Sequence, residues 1–240
     1  MQSREYISLA GLRADGRRPT EVRSISYLLG SVSNADGSCT FSQGNTKLIV
    51  SIFGPKETSR KRDVLHDTVN VRVEFGQSLF AQGEKRERRR SDRFSIEISN
   101  HIRSIVQNQV LASRYPKSEV VVSVQLLQSD GSVLAAAINA TTLALIDTGI
   151  ALQDFVVACS AGIVRNTILL DLTQQEEVGP CSFLTLSMRP NEDSYPLVHL
   201  SNRLPLDQFE PLLDAGTLGC SSVHLHLKES VKSFVEKMIR

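Results

Sequence analysis

The segment LQSDGSVLAAAINATTLALIDTG, from Leu127 to Gly149, constrains the fold more than any other part of the sequence. An extended apolar stretch ends at Asp130-Gly131, and an alanine-rich segment follows at once. Residues 132–148 are apolar on nearly every side, which predicts a buried helix that Gly149 ends. A strand that enters a helix through a glycine-containing turn is a common anion site, because free N–H groups point outward there. The segment therefore predicts a buried helix whose first turn has the form of a phosphate site.

The same turn lacks the side chains with which such a site would hold phosphate. Val133 and Leu134 stand where a hydroxyl and a cation would be expected. Ser132 is a good N-cap residue, so the helix can begin there without any ligand. The turn is therefore either a phosphate site or the remnant of one.

Strand-like and helical segments alternate along the rest of the chain. The β-branched and alternating patterns predict strands between turn signals in 26–57 and at 68–75, 118–127, 155–164, 168–172, 182–188 and 196–200. A one-sided apolar stripe predicts a helix from Asp92 or Ser95 to about Ser113. From Pro205 to Met238 the pattern predicts two helices with a break near Gly216 or Gly219.

This order of elements predicts an α+β fold of the two-layer α/β type, in which helices flank mixed β-sheets. Strands lead into a helix twice, which indicates two βαβα-like halves. The first half spans roughly residues 20–150 and contains the phosphate-like turn, and the second spans residues 151–240. We find no linker or low-complexity tract, so we expect a single domain over residues 1–240.

Composition limits the possible partners. With 27 basic and 26 acidic residues the formal net charge is +1, so a polyanion must be bound by local clusters. No apolar run approaches the ~18 residues of a membrane span, and the N-terminus lacks the apolar core of a signal peptide. The four scattered cysteines favour reduced thiols inside a cell. The five histidines form no HExxH motif or spaced ligand set, so no metal site is expected.

Two basic clusters are candidate RNA contacts, because arginine pairs with phosphate through two hydrogen bonds. KRERRRSDR (85–93) has six basic residues against Glu87 and Asp92, a local charge of +4. A smaller cluster follows the Gly54-Pro55 turn. A solvated loop without a partner is the alternative for both. The candidate RNA-binding residues are Arg60, Lys61, Arg62, Lys85, Arg86, Arg88, Arg89, Arg90 and Arg93.

An acidic group lies at the end of a predicted strand in the first part of the second half. Asp171 ends the strand ILLD, and Glu176-Glu177 come five and six residues later. Carboxylates at the end of a strand can hold a divalent metal or act as a general acid. A solvated acidic turn is the alternative.

Taken in order, these pieces resemble the RNase PH family over nearly the whole chain. Five segments are similar to family motifs and follow the family's order: 11–23 (GLRADGRRPTEVR), 35–57, 92–99, 127–150 and 169–177 (LLDLTQQEE). Within the family the chain most resembles the eukaryotic RNA exosome ring subunits that correspond to the catalytic ring subunit of the archaeal exosome.

The resemblance implies phosphorolysis, in which inorganic phosphate attacks the 3′-terminal RNA linkage and releases a nucleoside diphosphate. Active members have Asp-Gly-Gly-Ser/Thr-Arg at the turn, where this chain has Asp130, Gly131, Ser132, Val133 and Leu134 in succession. The family's catalytic aspartate matches Asp171. Glu177 stands at the place of a second aspartate, and Arg93 at that of an arginine that contacts RNA or phosphate. Residues 60–62 fall where the family has its channel-neck loop.

On this resemblance we expect a noncatalytic RNA exosome ring subunit with no intact catalytic residue and no cofactor, which serves rRNA maturation and mRNA decay in the nucleus, nucleolus and cytoplasm. The implied partners are single-stranded RNA that threads by its 3′ end, other RNase PH-like subunits in a heterodimer and a hexameric ring, S1/KH cap subunits and a separate hydrolytic 3′–5′ nuclease, with no membrane.

The alternative is an active phosphorolytic 3′–5′ exoribonuclease that uses Asp171, Glu177 and Arg93 with Mg²⁺, phosphate and a cation from a neighbouring subunit. The N-terminal motif and Asp171 disfavour a different inactive ring subunit, and the missing arginine disfavours a stand-alone bacterial-type enzyme.

Overall fold

A computed structural model describes residues 6–8, 11–57, 68–81, 92–164, 167–179 and 181–239. The strands are β1 (Ile25–Leu29), β2 (Gly37–Gln43), β3 (Thr46–Glu57), β4 (Asn70–Gln77), β5 (Ser118–Gln128), β6 (Val157–Val164), β7 (Thr167–Leu170), β8 (Ser182–Arg189) and β9 (Ser194–Ser201). The helices are α1 (Arg93–Gln109), α2 (Val133–Thr148), α3 (Gln174–Val178) and α4 (Leu206–Ile239). Of the predicted RNA-binding residues, all except Arg93 lie outside the described residues.

The first sheet has five strands in the order β1-β2-β3-β5-β4. Its pairs are antiparallel except β4 and β5, which run parallel. Alternate residues of β3 (Leu48, Val50 and Ile52) are fully buried, as the two-residue period of a strand requires when one face lies on the core. β3 continues to Glu57 through the Gly54-Pro55 pair, which was predicted to form a turn, with a register irregularity there.

The second sheet has four strands in the order β7-β6-β8-β9. It is antiparallel throughout, so parallel pairing is confined to the first sheet among the described strands. The predicted strands all form, with small differences at their ends. The two sheets together with the four helices give the α+β fold that the sequence predicted.

Helix α2 is buried on nearly every side, as its composition predicted. The Asn139 side chain joins it to β6, because its amide donates to the Ala158 carbonyl oxygen (2.9 Å) and accepts from the Ala158 N–H (2.8 Å). A buried amide with both groups bonded avoids the cost of an unpaired polar atom. Gly149 ends the helix in the left-handed conformation (φ 74°). The helix start is thereby held at a fixed place beside the second sheet.

The predicted break in the C-terminal helix is wrong, because α4 runs without interruption through both glycines. Each glycine lies where the helix packs closely on the second sheet. A Cβ on Gly219 would lie 2.7 Å from the Cys159 sulfur, and one on Gly216 would lie 3.2 Å from a Leu186 methyl carbon. These glycines therefore permit close helix–sheet packing rather than a turn.

Helix α1 is shorter than predicted. It ends at Gln109, and a short 3₁₀ turn at Ala112–Arg114 accounts for the rest of the helix predicted to reach Ser113.

All four cysteines are free and buried. Among the described helices, none combines the length and the hydrophobicity that a membrane crossing requires.

Candidate functional site at the turn between β5 and α2

The turn that joins β5 to α2 lies directly against the chain that follows β7. Gly131 has φ 81°, and a Cβ at this position would lie 2.5 Å from the Leu172 carbonyl oxygen. Thr46, from the first sheet, fixes the turn from the other side. Its hydroxyl donates to the Gly131 carbonyl oxygen (2.9 Å) and accepts from the Asp130 N–H (3.1 Å). The backbone approach therefore requires glycine at position 131.

Ser132 is the N-cap residue of α2, as the sequence predicted, but its side chain makes no capping hydrogen bond. Its φ is 52°, and its hydroxyl points into the protein, where it donates to the Leu172 carbonyl oxygen (2.9 Å) and bonds with the Ser160 hydroxyl. A left-handed conformation is costly for a residue with a side chain, and these two buried bonds offset that cost. Ser132 therefore stands in a conformation suited to glycine, the residue that the resemblance expects there.

The backbone N–H of Ser132, which an anion site at this turn would use, already has an acceptor. It donates to Glu177 Oε1 at 2.6 Å. Burial raises the pKa of Glu177 to about 7; the Ser132 bond and Arg23 oppose this rise, and Asp171 and Asp130 add to it. The turn thus holds a carboxyl group of the same chain at a donor that a phosphate site would use.

Asp171 forms a buried ion pair with Arg23. The Arg23 guanidinium donates to both carboxylate oxygens (2.7 and 2.9 Å), and the Arg23 backbone N–H donates to one of them (2.8 Å). The Asp171 side chain is 0% exposed. Burial acts to raise the pKa of Asp171, but the hydrogen bonds and the charge of Arg23 outweigh it and lower the pKa below its usual value. In this geometry Asp171 stays ionised and joins the N-terminal arm to β7.

Two further arginines of the arm bind the same segment. Arg13 donates to the Asp171 carbonyl oxygen (2.9 Å) and forms a buried ion pair with Glu176. Arg17 donates to the Asp171 carbonyl oxygen (3.2 Å) and to Asp15 (2.6 Å). No role was expected for Arg13, Arg17 or Arg23 from the sequence alone. Their only signal was their place in the motif at 11–23.

The described site has more carboxyl groups than cations. Its side chains comprise three guanidinium groups (Arg13, Arg17 and Arg23) and five carboxyl groups (Asp15, Asp130, Asp171, Glu176 and Glu177). Each of the three guanidinium groups is bonded to groups of the chain itself. Among the described residues, the site therefore offers little positive charge to an incoming anion.

Val133 and Leu134, at the start of α2, contribute to packing. Val133 is buried in the main core. Leu134 is half-buried and packs, as Leu197 of β9 does, on an apolar group that includes Ile105 of α1 and Ile138 of α2. Position 134 therefore belongs to an apolar seam between α1, α2 and the start of β6, on which Leu197 of β9 also packs.

Of the remaining predicted site residues, the structure describes only Arg93. It is the first residue of α1 and is exposed. Within the described ranges, no hydrogen bond or ion pair links Arg93 to the turn. The structure thus brings together Asp171, Glu177 and the turn at 130–132.

Family models match most of the chain in two parts. The 3′ exoribonuclease family, domain 1 (RNase PH), matches residues 21–151, and domain 2 of the same family matches residues 154–217. The chain belongs to the RNase PH family of 3′ exoribonucleases. The family resemblance that the five motifs carried is thereby confirmed.

Relatives of this RNase PH protein match almost end to end. This chain is 36% identical over 235 residues to the exosome complex component RRP41 homolog of Arabidopsis thaliana. The alignment covers 98% of this chain and 97% of that relative. The chain is 37% identical over 239 residues to exosome complex component RRP41 of Homo sapiens, with 99% and 97% covered. Among solved structures, an Archaeoglobus fulgidus exosome chain, from a complex with RNA bound to the active site, has a TM-score of 0.79 at 23% identity and covers 91% of this chain and 93% of its own. The last comparison confirms the fold.

Proposed function

We propose that this chain is a noncatalytic ring subunit of an RNA exosome, which contributes to the channel and scaffold for 3′–5′ RNA processing and degradation. One contact carries the proposal: the Ser132 N–H donates to the Glu177 carboxyl at 2.6 Å. Phosphate at this donor would have to displace the carboxyl group or lie beside it. Where Glu177 is ionised, phosphate and the carboxylate are two anions at one site, and they repel each other strongly unless cations offset their charge.

The side chains of the turn support the same conclusion. Phosphorolysis places a phosphate nucleophile against the RNA phosphate, so fixed cations and N–H donors must offset the repulsion in the transition state. Leu134 supplies neither charge nor a donor, and it packs in an apolar seam. A single charge-assisted hydrogen bond contributes about 1.5–3 kcal/mol. We infer that the loss of this bond, with Glu177 at the turn, removes phosphate binding.

The relatives support membership of an exosome ring, because both are exosome components and match this chain over nearly their full length. We infer that other RNase PH-like subunits complete a heterodimer and a hexameric ring, beneath S1/KH cap subunits and beside a separate hydrolytic nuclease. The corresponding sites of action are the nucleus, nucleolus and cytoplasm. An archaeal complex of this fold binds RNA, and we infer that RNA threads through the ring of which this chain is part.

The basic segments give the channel role its chemistry. Cationic side chains bind the backbone of single-stranded RNA without reading its sequence. We assign this role to Arg93 and to the basic residues outside the described ranges: Arg60, Lys61, Arg62, Lys85, Arg86, Arg88, Arg89 and Arg90.

One observation favours the alternative of an active phosphorolytic exoribonuclease. Glu177 has a pKa of about 7, and a carboxyl group that titrates near neutral pH is suited to proton transfer. This enzyme would need a cation from a neighbouring subunit to bind phosphate, because the described site is rich in carboxyl groups. The two functions differ in whether phosphate releases nucleoside diphosphates.

The test is nucleoside diphosphate release from RNA by the ring reconstituted from full-length subunits, with and without phosphate. We expect no phosphate-dependent release by the wild-type ring. Release that is lost in Glu177→Gln, and kept in the exposed control Glu229→Gln, would establish the enzyme instead. The carboxamide preserves an acceptor for the Ser132 N–H, so this variant keeps the turn intact.

The channel role has its own readout in the same ring. We expect RNA retention to weaken, and its salt dependence to become shallower, when Arg60, Lys61 and Arg62 are all changed to alanine. Arg203→Ala, at an exposed position before α4, is the matched control. Equal retention by the triple variant and the control would contradict the channel role.

A further inference from the structure

Helix α1 and strand β9 bring three metal-binding side chains together, none of which belongs to the turn between β5 and α2. Glu97 and His101 lie one helical turn apart on α1, and His199 lies on β9. One ligand atom from each residue lies within 4.8 Å of the other two. His199 Nε2 is 4.0 Å from Glu97 Oε1, and the two imidazole centroids are 4.9 Å apart. The three side chains thus converge on one point.

Apolar packing beside the cluster fixes the backbones that carry it. Ile105 follows His101 by one turn on the same face of α1, and Leu197 precedes His199 by two residues on the same face of β9. Ile105 is buried, and Leu197 packs on the apolar group to which it belongs. The two histidines therefore continue a buried contact outward to the surface, and their separation is set by the fold.

We propose that Glu97, His101 and His199 form a zinc site that links α1 to β9. Two imidazoles and one carboxylate are a ligand set that zinc takes when it keeps a fourth position open. Imidazole selects zinc and related transition metals over calcium and magnesium, which prefer oxygen ligands. Zinc is held at about 2.0–2.2 Å by nitrogen and oxygen ligands, so the three ligand atoms must draw closer by roughly an ångström.

The side chains have the freedom for this closure. The Glu97 side chain is 49% exposed and that of His199 is 28% exposed, so rotation of Glu97 can bring its oxygen inward without moving the core. The Ser201 hydroxyl lies 3.4 Å from His199 Nε2, and a metal at that nitrogen would replace this long contact. The exposed fourth position would be filled by water or by a ligand from another chain.

The site would tie the two sheets together. Helix α1 packs on the first sheet beside β4, whereas β9 is the edge strand of the second sheet. A metal that binds the folded protein, and not the unfolded chain, stabilises the fold by an amount that grows with the logarithm of its free concentration above the dissociation constant. Zinc is therefore expected to raise the melting temperature, and the rise should depend on all three ligands.

Zinc titration of the full-length chain by calorimetry, with thermal unfolding in zinc and in EDTA, tests the site. We expect one zinc ion per chain in the wild type. We expect roughly tenfold or greater weakening in His101→Ala, His199→Ala and Glu97→Gln, because even residues that only orient ligands contribute 10–100-fold. His226→Ala, at an exposed histidine of α4, should bind as the wild type does. Unchanged affinity in His101→Ala and His199→Ala, or no saturable binding by the wild type, would overturn the proposal.

Cobalt substitution separates this site from the cysteines. Cobalt held by nitrogen and oxygen should give visible ligand-field bands without the near-ultraviolet thiolate band. Loss of these bands in His199→Ala, at an unchanged melting temperature in EDTA, is the result expected. A thiolate band would show that the metal binds cysteine, and would overturn the proposal even if the stoichiometry were one.

Discussion

The Ser132 N–H donates to the Glu177 carboxyl at 2.6 Å, so the start of α2 is bound to an acidic group of its own chain. A helix start attracts anions because its first N–H groups lack partners within the helix. Here an internal carboxyl group partly meets that need. The same contact holds α3 against the turn between β5 and α2, and it joins the two sheets at the candidate site.

The raised pKa of Glu177 predicts a pH-dependent stability. Its folded pKa is about 7, against an ordinary value of 4.5. The protonated carboxyl favours the folded state, so this contribution is complete below the ordinary value and is lost as the pH rises through about 7. Glutamine does not ionise, so Glu177→Gln should abolish this pH-dependent loss of stability. It should raise the free energy of unfolding above neutral pH by up to about 3 kcal/mol. Urea unfolding across this range measures it, and an unchanged pH profile would contradict the buried carboxyl.

The Arg23–Asp171 pair predicts a large loss of stability when one partner is removed. Arg23→Met leaves a buried charge without its partner and should cost about 3–5 kcal/mol of unfolding free energy. Arg18→Ala, which removes an exposed ion pair with Glu21, should change stability by less than about 1 kcal/mol. The pKa of Asp171 is lowered in the folded state. The ion pair should therefore contribute fully to the free energy of unfolding above the ordinary pKa of aspartate, and this contribution should be lost as the pH falls through the folded pKa. Similar losses in the two variants would contradict this account.

Alanine should destabilise the protein more at Gly131 than at Gly30, although both glycines have a left-handed conformation. A Cβ at Gly131 meets the Leu172 carbonyl oxygen at 2.5 Å, whereas one at Gly30 (φ 65°) meets nothing within 4 Å. Gly30→Ala should therefore cost only the conformational strain of about 1–2 kcal/mol. Gly131→Ala should cost clearly more, because backbone must move. Equal losses in chemical denaturation would show that close approach to residue 172 is unimportant.

The continuous helix α4 predicts that Gly219→Ala is destabilising. On helix propensity alone, alanine would stabilise by about 1 kcal/mol. The new methyl group would lie 2.7 Å from the Cys159 sulfur, and overpacking a core costs about 1–3 kcal/mol. Combining it with Cys159→Ala should relieve the clash, so a double-mutant cycle of unfolding free energies should show favourable coupling. Additive effects would mean that the helix does not pack on β6 at this point.

The strands and the buried helix could be predicted because their signals are local. The alternation in β3 and the all-round apolar character of α2 depend on neighbouring residues only. The continuity of α4 could not, because glycine in a helical pattern suggests a break until its packing against Cys159 is known. The roles of the arginines in the arm also depend on distant residues: Arg23 bonds with Asp171, which is 148 positions away.

The residues at the turn could be predicted from the sequence, but the orientation of their side chains could not, because it depends on distant residues. The sequence identified Gly131, Ser132, Asp171 and Glu177, but the direction of each side chain depends on the packing of one sheet against the other. Ser132 was expected at the N-cap of α2 and is found there, but its positive φ turns the hydroxyl toward Ser160 and away from a capping bond. A residue in an unusual backbone conformation does not follow the preferences of its type.

We propose that the turn does not bind phosphate, because the Glu177 carboxyl already accepts from the Ser132 N–H. The most direct measurement is titration of the ¹⁵N-labelled full-length chain with inorganic phosphate, followed through the Ser132 amide resonance. We predict no saturable shift in the wild type, and the same result in the exposed control Glu229→Gln. A saturable phosphate-dependent shift of the Ser132 amide in the wild type would show a working phosphate site and contradict the account.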